Sequence, residues 1–295
     1  MKIPYYPGCS LKNQAKNFEA SGIAAAGALG IELEELPRWN CCGTVYSLTS
    51  DDLMRQVAPT RNLIRVQESG ADKMAVLCAM CYNTEKRASL RVRRNPEDLK
   101  KLNAFMDEEE DYRGEVEVFH LLELLRDEVG FDKIKQTAKR PLKGLRVAPY
   151  YGCMLLRPRE AGIDDLGRPR IMEDLLTALG AEVVDHPYKS HCCGSYHTVD
   201  NPEIVARRAH AILSSIIEHG GEMVALSCPL CKYNLDDRQE LTGQLYPDFS
   251  EIPVVYFTQL MALAFGLDDA TGFDGHYVDP RPLLAEKGLL GRIRV

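Results

Sequence analysis

The sequence predicts an α/β protein built from two tandem, duplicated domains. Each is a parallel-type sheet covered by helices, and the pair is related by pseudo-twofold symmetry. Three observations predict this. The ten cysteines fall into two sets of five in one order: Cys9, Cys41-Cys42 and Cys78-Ala79-Met80-Cys81, then Cys153, Cys192-Cys193 and Cys228-Pro229-Leu230-Cys231. The flanking segments correspond too. Tyr5-Tyr6-Pro7-Gly8-Cys9 answers to Tyr150-Tyr151-Gly152-Cys153, Met74–Cys78 to Met223–Cys228, and Val116–Leu122 to Val254–Leu260. The cysteines are offset by 144 to 151 residues, which means duplication of a whole domain and not a short repeat. Finally, strand-like and helix-like patterns alternate in each half, which produces parallel sheets with helices on both faces.

In order, the first half predicts a strand at Lys2–Tyr6, a helix over roughly Asn13–Leu29, a strand at Ile31–Glu35, a helix at Asp51–Glu68 and a strand at Lys73–Leu77. The second half predicts a strand at Leu145–Tyr150 running into Gly152-Cys153. A helix at Arg170–Leu179 follows from the spacing of Ile171, Leu175, Leu176 and Leu179, and stops at Gly180. A strand at Ala181–Val184 comes next. The long helix Pro202–His219 has Asn201 or Asp200 to cap its start and Gly220-Gly221 to stop it. Met223–Ser227 reads as a buried strand. The domains divide as 1–144 and 145–295. The lysine-rich stretch Gly130–Gly144 reads as a solvated connector. The tail Leu267–Val295, with its basic end Arg292-Ile293-Arg294, has no counterpart in the first half and reads as lying along a partner, with a disordered tail or one packed on its own chain as the alternatives. Every cysteine group falls at or beyond the C-terminal end of a strand, where open α/β sheets form their ligand sites. Five thiols therefore converge on one crevice per domain.

Composition narrows the function. The chain of 295 residues is long enough for two buried cores, and 45% hydrophobic with 27% charged residues is ordinary for a globular protein. A net charge of −7 argues against nucleic-acid binding. Met1-Lys2-Ile3-Pro4-Tyr5-Tyr6 is not a signal peptide, and the most apolar window, Ile252–Leu267, is broken by Pro253 and Gln259. The expectation is a cytoplasmic protein without direct membrane insertion. In that reducing compartment grouped cysteines serve as metal ligands or redox thiols. Five per domain leaves an odd one for disulfides, and exceeds what one zinc ion or a standard iron–sulfur cluster takes. Zinc stands as an alternative. Iron–sulfur ligation suits the surplus ligand better, because a cluster spreads its ligands over several irons. No GxGxxG follows a strand and there is no P-loop, so no nucleotide or flavin site is evident. There is no ferredoxin-type cysteine run either, so electrons arrive from a partner.

The cysteine order, with a glycine after each doublet, resembles the CCG-domain family. Two such domains in a chain of this length resemble the catalytic B subunits of heterodisulfide reductases within it, over roughly residues 1 to 265. The resemblance implies two non-cubane [4Fe-4S] clusters. One would be held by Cys9, Cys41, Cys42, Cys78 and Cys81, the other by Cys153, Cys192, Cys193, Cys228 and Cys231. It implies an oxidoreductase that reduces a small-molecule heterodisulfide to two thiols between the clusters; the coenzyme M–coenzyme B disulfide of methanogenesis is the type. The implied partners are a ferredoxin-like C subunit and a flavin-containing A subunit. CCG domains also serve lactate-, glycolate-, glycerol-phosphate- and fumarate-linked oxidoreductases, where the implied role is electron relay. A non-enzymatic zinc protein is the third reading.

The loops after the doublets are Gly43-Thr44-Val45-Tyr46-Ser47 and Gly194-Ser195-Tyr196-His197-Thr198. Glycine allows a tight turn there, and nearby hydroxyls and amides tune a cluster's potential. Tyr46, Tyr196 and His197 are the candidate catalytic residues, for substrate contact or proton delivery. Among the other histidines, His120 reads as a core residue in a helical stretch and His191 as a neighbour of the second cluster. His210, His219 and His276 read as surface residues. Arg157, Arg159, Arg168 and Arg170 read as a solvated loop, with anion pairing as the sharper option.

Overall fold

Each half builds its sheet from four short strands. In the computed structural model, which describes residues 1–44 and 52–290, these are β1 (Lys2–Tyr6), β2 (Glu32–Glu35), β3 (Lys73–Val76) and β4 (Glu117–His120) in the first half. In the second half they are β5 (Arg146–Pro149), β6 (Glu182–Val183), β7 (Met223–Leu226) and β8 (Val254–Tyr256). The strand orders, β2-β1-β3-β4 and β6-β5-β7-β8, are the same, and every pairing is parallel. The α/β duplication expected from the sequence is therefore present. β7 is apolar and wholly buried, as a strand covered on both faces must be. β2 is Glu-Leu-Glu-Glu and lies at an edge, where charge blocks further pairing.

The registers correct two details of the repeat. Val76 pairs with His120 and Leu226 with Tyr256, so His120 answers to Tyr256 and not, as the alignment of Val116–Leu122 with Val254–Leu260 has it, to Thr258. Tyr5 pairs with Ala75 in the first sheet and Pro149 with Ala225 in the second. Ala75 and Ala225 each stand three residues before a CxxC cysteine. Tyr6, and not Tyr5, is therefore the partner of Tyr150. The helix expected over Asn13–Leu29 is Lys16–Ala28, and a separate short helix, Gly8–Lys12, precedes it directly after β1. The helix expected over Asp51–Glu68 is a 3₁₀ turn at Met54–Gln56 and an α-helix at Val57–Glu68; Asp51 lies outside the described residues. The second-half helices are Ile171–Ala178 and Pro202–Glu218, the latter capped by the Asn201 side chain, which accepts from the Ile204 amide at 3.2 Å.

One segment departs from expectation, and the tail takes one of the courses expected of it. Gly130–Gly144 is not a loose connector. It carries the helix Phe131–Thr137 with Ile134 buried, Lys133 Nζ donates to Leu29 O at 2.8 Å, and the Arg140 amide donates to Ala264 O at 2.8 Å. Its lysines mask the apolar residues that dock it. The tail packs on its own chain as far as it is described. Leu284 and Leu289 are buried, and Lys287 meets Glu222 at 2.8 Å. Arg292 and Arg294 lie outside the described residues.

The halves share one core. Helix Lys16–Ala28 packs on Phe257–Phe265, and on the other side Leu121–Leu124 and Phe131–Thr137 pack on Ile171–Ala178. Phe18 stacks on Tyr256 with centroids 4.2 Å apart, and Ser21 Oγ lies 2.7 Å from Thr258 Oγ1. Gly22 is required at this crossing, because a Cβ there would stand 2.3 Å from Leu77 Cδ2. The Ala79 amide donates to Ser227 O at 3.1 Å, which ties the ends of β3 and β7 together.

His120 is a core residue, but it ends β4 and caps the following helix instead of lying within one. Its Nε2 donates to Leu77 O at 2.7 Å and its Nδ1 accepts from the Leu122 amide at 3.1 Å. Burial holds its pKa down to about 3, and holds that of His186 down to about 4. Both stay neutral when folded, whereas the unfolded chain protonates them near pH 6.5. Stability is then expected to fall as pH drops from about 6.5 towards 4, at up to about 1.4 kcal/mol per pH unit for each histidine. Urea midpoints measured across that range would show it, and His120→Gln should remove one proton from the slope. His276 is buried and not a surface residue. Its Nε2 lies 3.0 Å from Gln259 Oε1, and its Nδ1 lies 3.5 Å from Asp236 Oδ2. His210 is not solitary, since it stacks on Tyr246 at 3.8 Å.

Candidate functional site

The strands deliver each cysteine to a helix start or a tight turn. Cys9 sits in the first turn of Gly8–Lys12, directly after β1. Cys78 and Cys228 are the residues before the helices Ala79–Arg94 and Pro229–Lys232 and keep extended backbone, so Cys81 and Cys231 fall in the first turns. Free amides and the positive end of a helix favour thiolate there.

The side chains of each set join into one string of contacts. Cys9 and Cys41 Sγ lie 3.8 Å apart, Cys42 and Cys81 3.7 Å, and Cys193 and Cys231 3.6 Å. In the first half Cys41 also shifts the pKa of Cys42, and Cys81 that of Cys78. In the second half Cys153, Cys192 and Cys193 shift one another in turn, and Cys231 shifts Cys228. Cys78 and Cys228 shift each other too, across the boundary between the halves, where the Ala79 amide donates to Ser227 O. All ten are free thiols. Among the described residues no three His, Cys, Asp or Glu side chains close around a single ion.

The strings set proton against proton. Contacts from Cys41 and Cys81 lower the Cys42 pKa to about 5, and contacts from Cys228 and Cys81 lower that of Cys78. Their neighbours go the other way. Cys81 is pushed up by Cys42 and Cys78, Cys231 is pushed up by Cys193 and Cys228, and Cys192 pushes Cys193 up to about 12. One thiolate raises the cost of the next. A fully ionised string needs cationic charge among its sulfurs.

Backbone and tyrosines hold the strings in place. Tyr6 Oη donates to Asn40 O at 2.9 Å and Tyr150 Oη to His191 O at 2.6 Å, so each phenol clamps the residue before a doublet. Gly8 has φ of +72°, and a Cβ there would lie 2.8 Å from Cys81 Sγ; at Gly152 the matching distance to Cys231 Sγ is 3.4 Å. Both glycines clear room against a sulfur. After the second doublet the Gly194 amide donates to Cys192 Sγ at 3.3 Å.

A cavity of about 690 Å³ lies between the halves. All five first-half cysteines line one side, and Leu230, Lys232, Tyr233 and Tyr256 of the second half line the other. Lys232 is held by Asp237 at 2.9 Å, Asp236 at 3.1 Å and Gly275 O at 2.8 Å. Burial, then the nearby Cys228 and Cys78, keep Tyr256 protonated.

Two of the three candidate catalytic residues lie away from this cavity. Tyr196 is 57% exposed, and His197 faces solvent with Nδ1 3.6 Å from Asp200 Oδ2. Neither is among the residues that line this cavity, and Tyr46 lies outside the described residues. His191 is exposed, its ring edge-on to Tyr188 at 4.8 Å. Arg157 donates to Ser190 O at 2.9 Å and Arg170 pairs with Asp174 at 3.1 Å, as loop residues do. Sequence reasoning missed Lys232, Tyr233 and Tyr256. The first two follow Cys231 directly, but only the docking of the halves turns them towards the opposite quintet.

Comparison with known proteins agrees with this architecture. The profile described as Cysteine-rich domain, CCG, matches residues 3–84 and 147–236. The 8-methylmenaquinol:fumarate reductase membrane anchor subunit of Wolinella succinogenes is 32% identical over 269 residues, covering 90% of this chain and 93% of that one. A protein of Archaeoglobus profundus that is itself like the heterodisulfide reductase B subunit is 31% identical over 277 residues, covering 91% and 92%. The B subunit of the ferredoxin/F420H2-dependent CoB-CoM heterodisulfide reductase of Methanosarcina acetivorans is 28% identical over 295 residues, covering 97% and 96%. The crystal structure of a hypothetical protein from Helicobacter pylori superposes with a TM-score of 0.73 at 14% identity, over 94% of this chain and 51% of that one; it bears on the fold alone. Among the described residues no helix is long and apolar enough to cross a membrane. With a profile match in each half and near-full-length relatives above 30% identity, the chain belongs to the CCG cysteine-rich domain family and carries two copies of its domain.

Proposed function

We propose that this protein is the iron–sulfur catalytic subunit of an oxidoreductase that cleaves a small disulfide into two thiols. The observation that carries the reading is the cavity of about 690 Å³ with a complete cysteine quintet on one wall and the other half of the chain on the opposite wall. An electron relay needs no such space, whereas a small-molecule substrate does.

The donor sets fit two iron–sulfur clusters. Soft thiolates suit iron, and the surplus ligand suits a polynuclear centre of the non-cubane [4Fe-4S] kind. The strings of sulfurs require interposed cationic charge, and the bare glycines against Cys81 and Cys231 leave space beside them. Cys9, Cys41, Cys42, Cys78 and Cys81 would hold one cluster, and Cys153, Cys192, Cys193, Cys228 and Cys231 the other. Such clusters supply single electrons and a soft metal site for sulfur. The chain's own part is to shape the cleft. Tyr233 and Tyr256 present phenols to it, Leu230 excludes water, and Lys232 gives its wall a fixed cation. Tyr46, Tyr196 and His197 are proposed to pass protons from the solvent side. The relatives named as B subunits belong to multisubunit reductases, which supports a ferredoxin-like C subunit and a flavin-containing A subunit as partners. The coenzyme M–coenzyme B disulfide or an analogue is the proposed substrate class.

The Wolinella relative favours a second reading, a relay subunit of a fumarate-linked oxidoreductase. Anaerobically purified protein separates the two. Catalysis predicts about eight irons per chain and release of two thiols per disulfide under reduced viologen. Iron well below eight, or zinc in its place, ends the cluster reading. Full iron with no thiol from any small disulfide leaves the relay. In the same assay Gly8→Ala is expected to cost about 1–2 kcal/mol of stability, from its left-handed backbone. It should also lower the iron content of the first centre, and Gly152→Ala should lower iron less.

A further inference from the structure

Resting on the reading of two iron–sulfur centres, we propose that the second quintet holds its centre at the higher reduction potential and that Asn234 sets much of the difference. Asn234 is fully buried, and its Nδ2 donates to Cys193 Sγ at 3.4 Å. Thr198 Oγ1 lies 3.0 Å from Asn234 Oδ1 and 2.8 Å from Ser195 O, so it packs against the oxygen end of the amide. A hydrogen bond to a ligating sulfur stabilises the extra negative charge of the reduced state and so raises the potential.

Among the described residues the first half has no counterpart to this device. Asn234 stands three residues after Cys231, and Thr84 stands three residues after Cys81. Thr84 Oγ1 donates to Met80 O at 3.0 Å, back onto its own helix. The following position differs in the same sense. Leu235 is buried and apolar, whereas Glu85 is buried with Oε1 bonded to Asn62 at 2.7 Å and Oε2 without a partner. A carboxyl there gives an added electron no support, and opposes it when ionised. A third difference lies over the glycine that follows each doublet. A Cβ on Gly43 would face Ala58 at 3.4 Å, and one on Gly194 would face Arg208 Cγ at 3.6 Å. Arg208 Nε donates to Cys192 O at 3.2 Å, so a guanidinium cation stands beside the second doublet. Amide donor, missing carboxyl and the Arg208 cation act in one direction at the second quintet, while Lys232, on the wall facing the first, is offset by Asp236 and Asp237. The first electron settles at the second quintet, and the quintet that walls the cavity fills last.

The test is an anaerobic EPR-monitored redox titration of the loaded full chain, with iron content determined on each sample. Wild type should show two midpoints. Asn234→Ala should lower the upper one alone, enough to change the reduced-to-oxidised ratio about tenfold at fixed potential, ~59 mV for one electron. Arg208→Ala, a half-exposed site that tolerates truncation, should lower the same midpoint. An Asn234→Ala protein with full iron and an unmoved upper midpoint overturns the proposal, as does movement of the lower one. If Asn234→Ala loses iron, an unmoved upper midpoint in Arg208→Ala overturns it. Iron for a single cluster in wild type sinks the two-centre reading itself, a result distinct from two midpoints that ignore these substitutions.

Discussion

Replacing Cys193 and Cys231 together by serine is expected to halve the iron and to cut disulfide reduction by more than about 100-fold, beyond the loss that residues merely supporting a metal produce. These two sulfurs lie 3.6 Å apart, both buried, and they join the doublet to the CxxC in the second string. Serine keeps the packing volume nearly intact, but its oxygen is a harder and more basic donor that iron in a cluster holds poorly. The fold should survive, because neither side chain supports a strand. The first centre should survive as well, since its five thiols all come from residues 9 to 81. Metal analysis with EPR of the double variant checks this. Full iron content would show that the second quintet is not a cluster site. Half iron with undiminished thiol release would show that one centre suffices, which contradicts a cleavage shared by two.

The cysteine quintets, the strand–helix alternation and the duplication were legible because each is a local pattern. A CxxC after an apolar strand reads alike in both halves, and Asn201 capped the helix foreseen from it. What stayed hidden depends on how the halves dock. Gly130–Gly144 looked solvated because its lysines outnumber Phe131, Ile134 and Leu142, yet those three decide its packing. His276 had no neighbours in sequence and found Asp236, Gln259 and Asn17 in space. Tyr256 had only its place in a repeated segment to recommend it. Its counterpart in the first sheet is His120, as the pairings Leu226–Tyr256 and Val76–His120 show. One position thus carries a buried neutral imidazole in one half and a cavity-facing phenol in the other. Two copies of a sequence fold alike and still present different chemistry to the space between them.

Phe18→Ala is expected to cost about 3–5 kcal/mol, the range for a buried phenylalanine whose neighbours cannot close the gap. Phe18 is fully buried and lies in the contact between helix Lys16–Ala28 and helix Phe257–Phe265. Its ring stacks on Tyr256 within 1° of parallel and meets Phe257 edge-on at 6.0 Å. Collapse is blocked on both sides, because Gly22 already lets Leu77 approach as closely as it can and the strand end holds Tyr256. The urea midpoint should drop accordingly, while Phe105→Ala, at a side chain 57% exposed, should leave it unchanged. The functional loss should exceed the loss of folded protein. Tyr256 forms part of the cavity wall opposite the first quintet, and without Phe18 beneath it the ring gains freedom to turn. Disulfide reduction per folded, iron-loaded chain should therefore fall, and Phe18→Leu should restore stability more than turnover. Equal recovery of both would mean that the stack only holds the halves together. Recovery of stability alone would mean that it also aims the phenol.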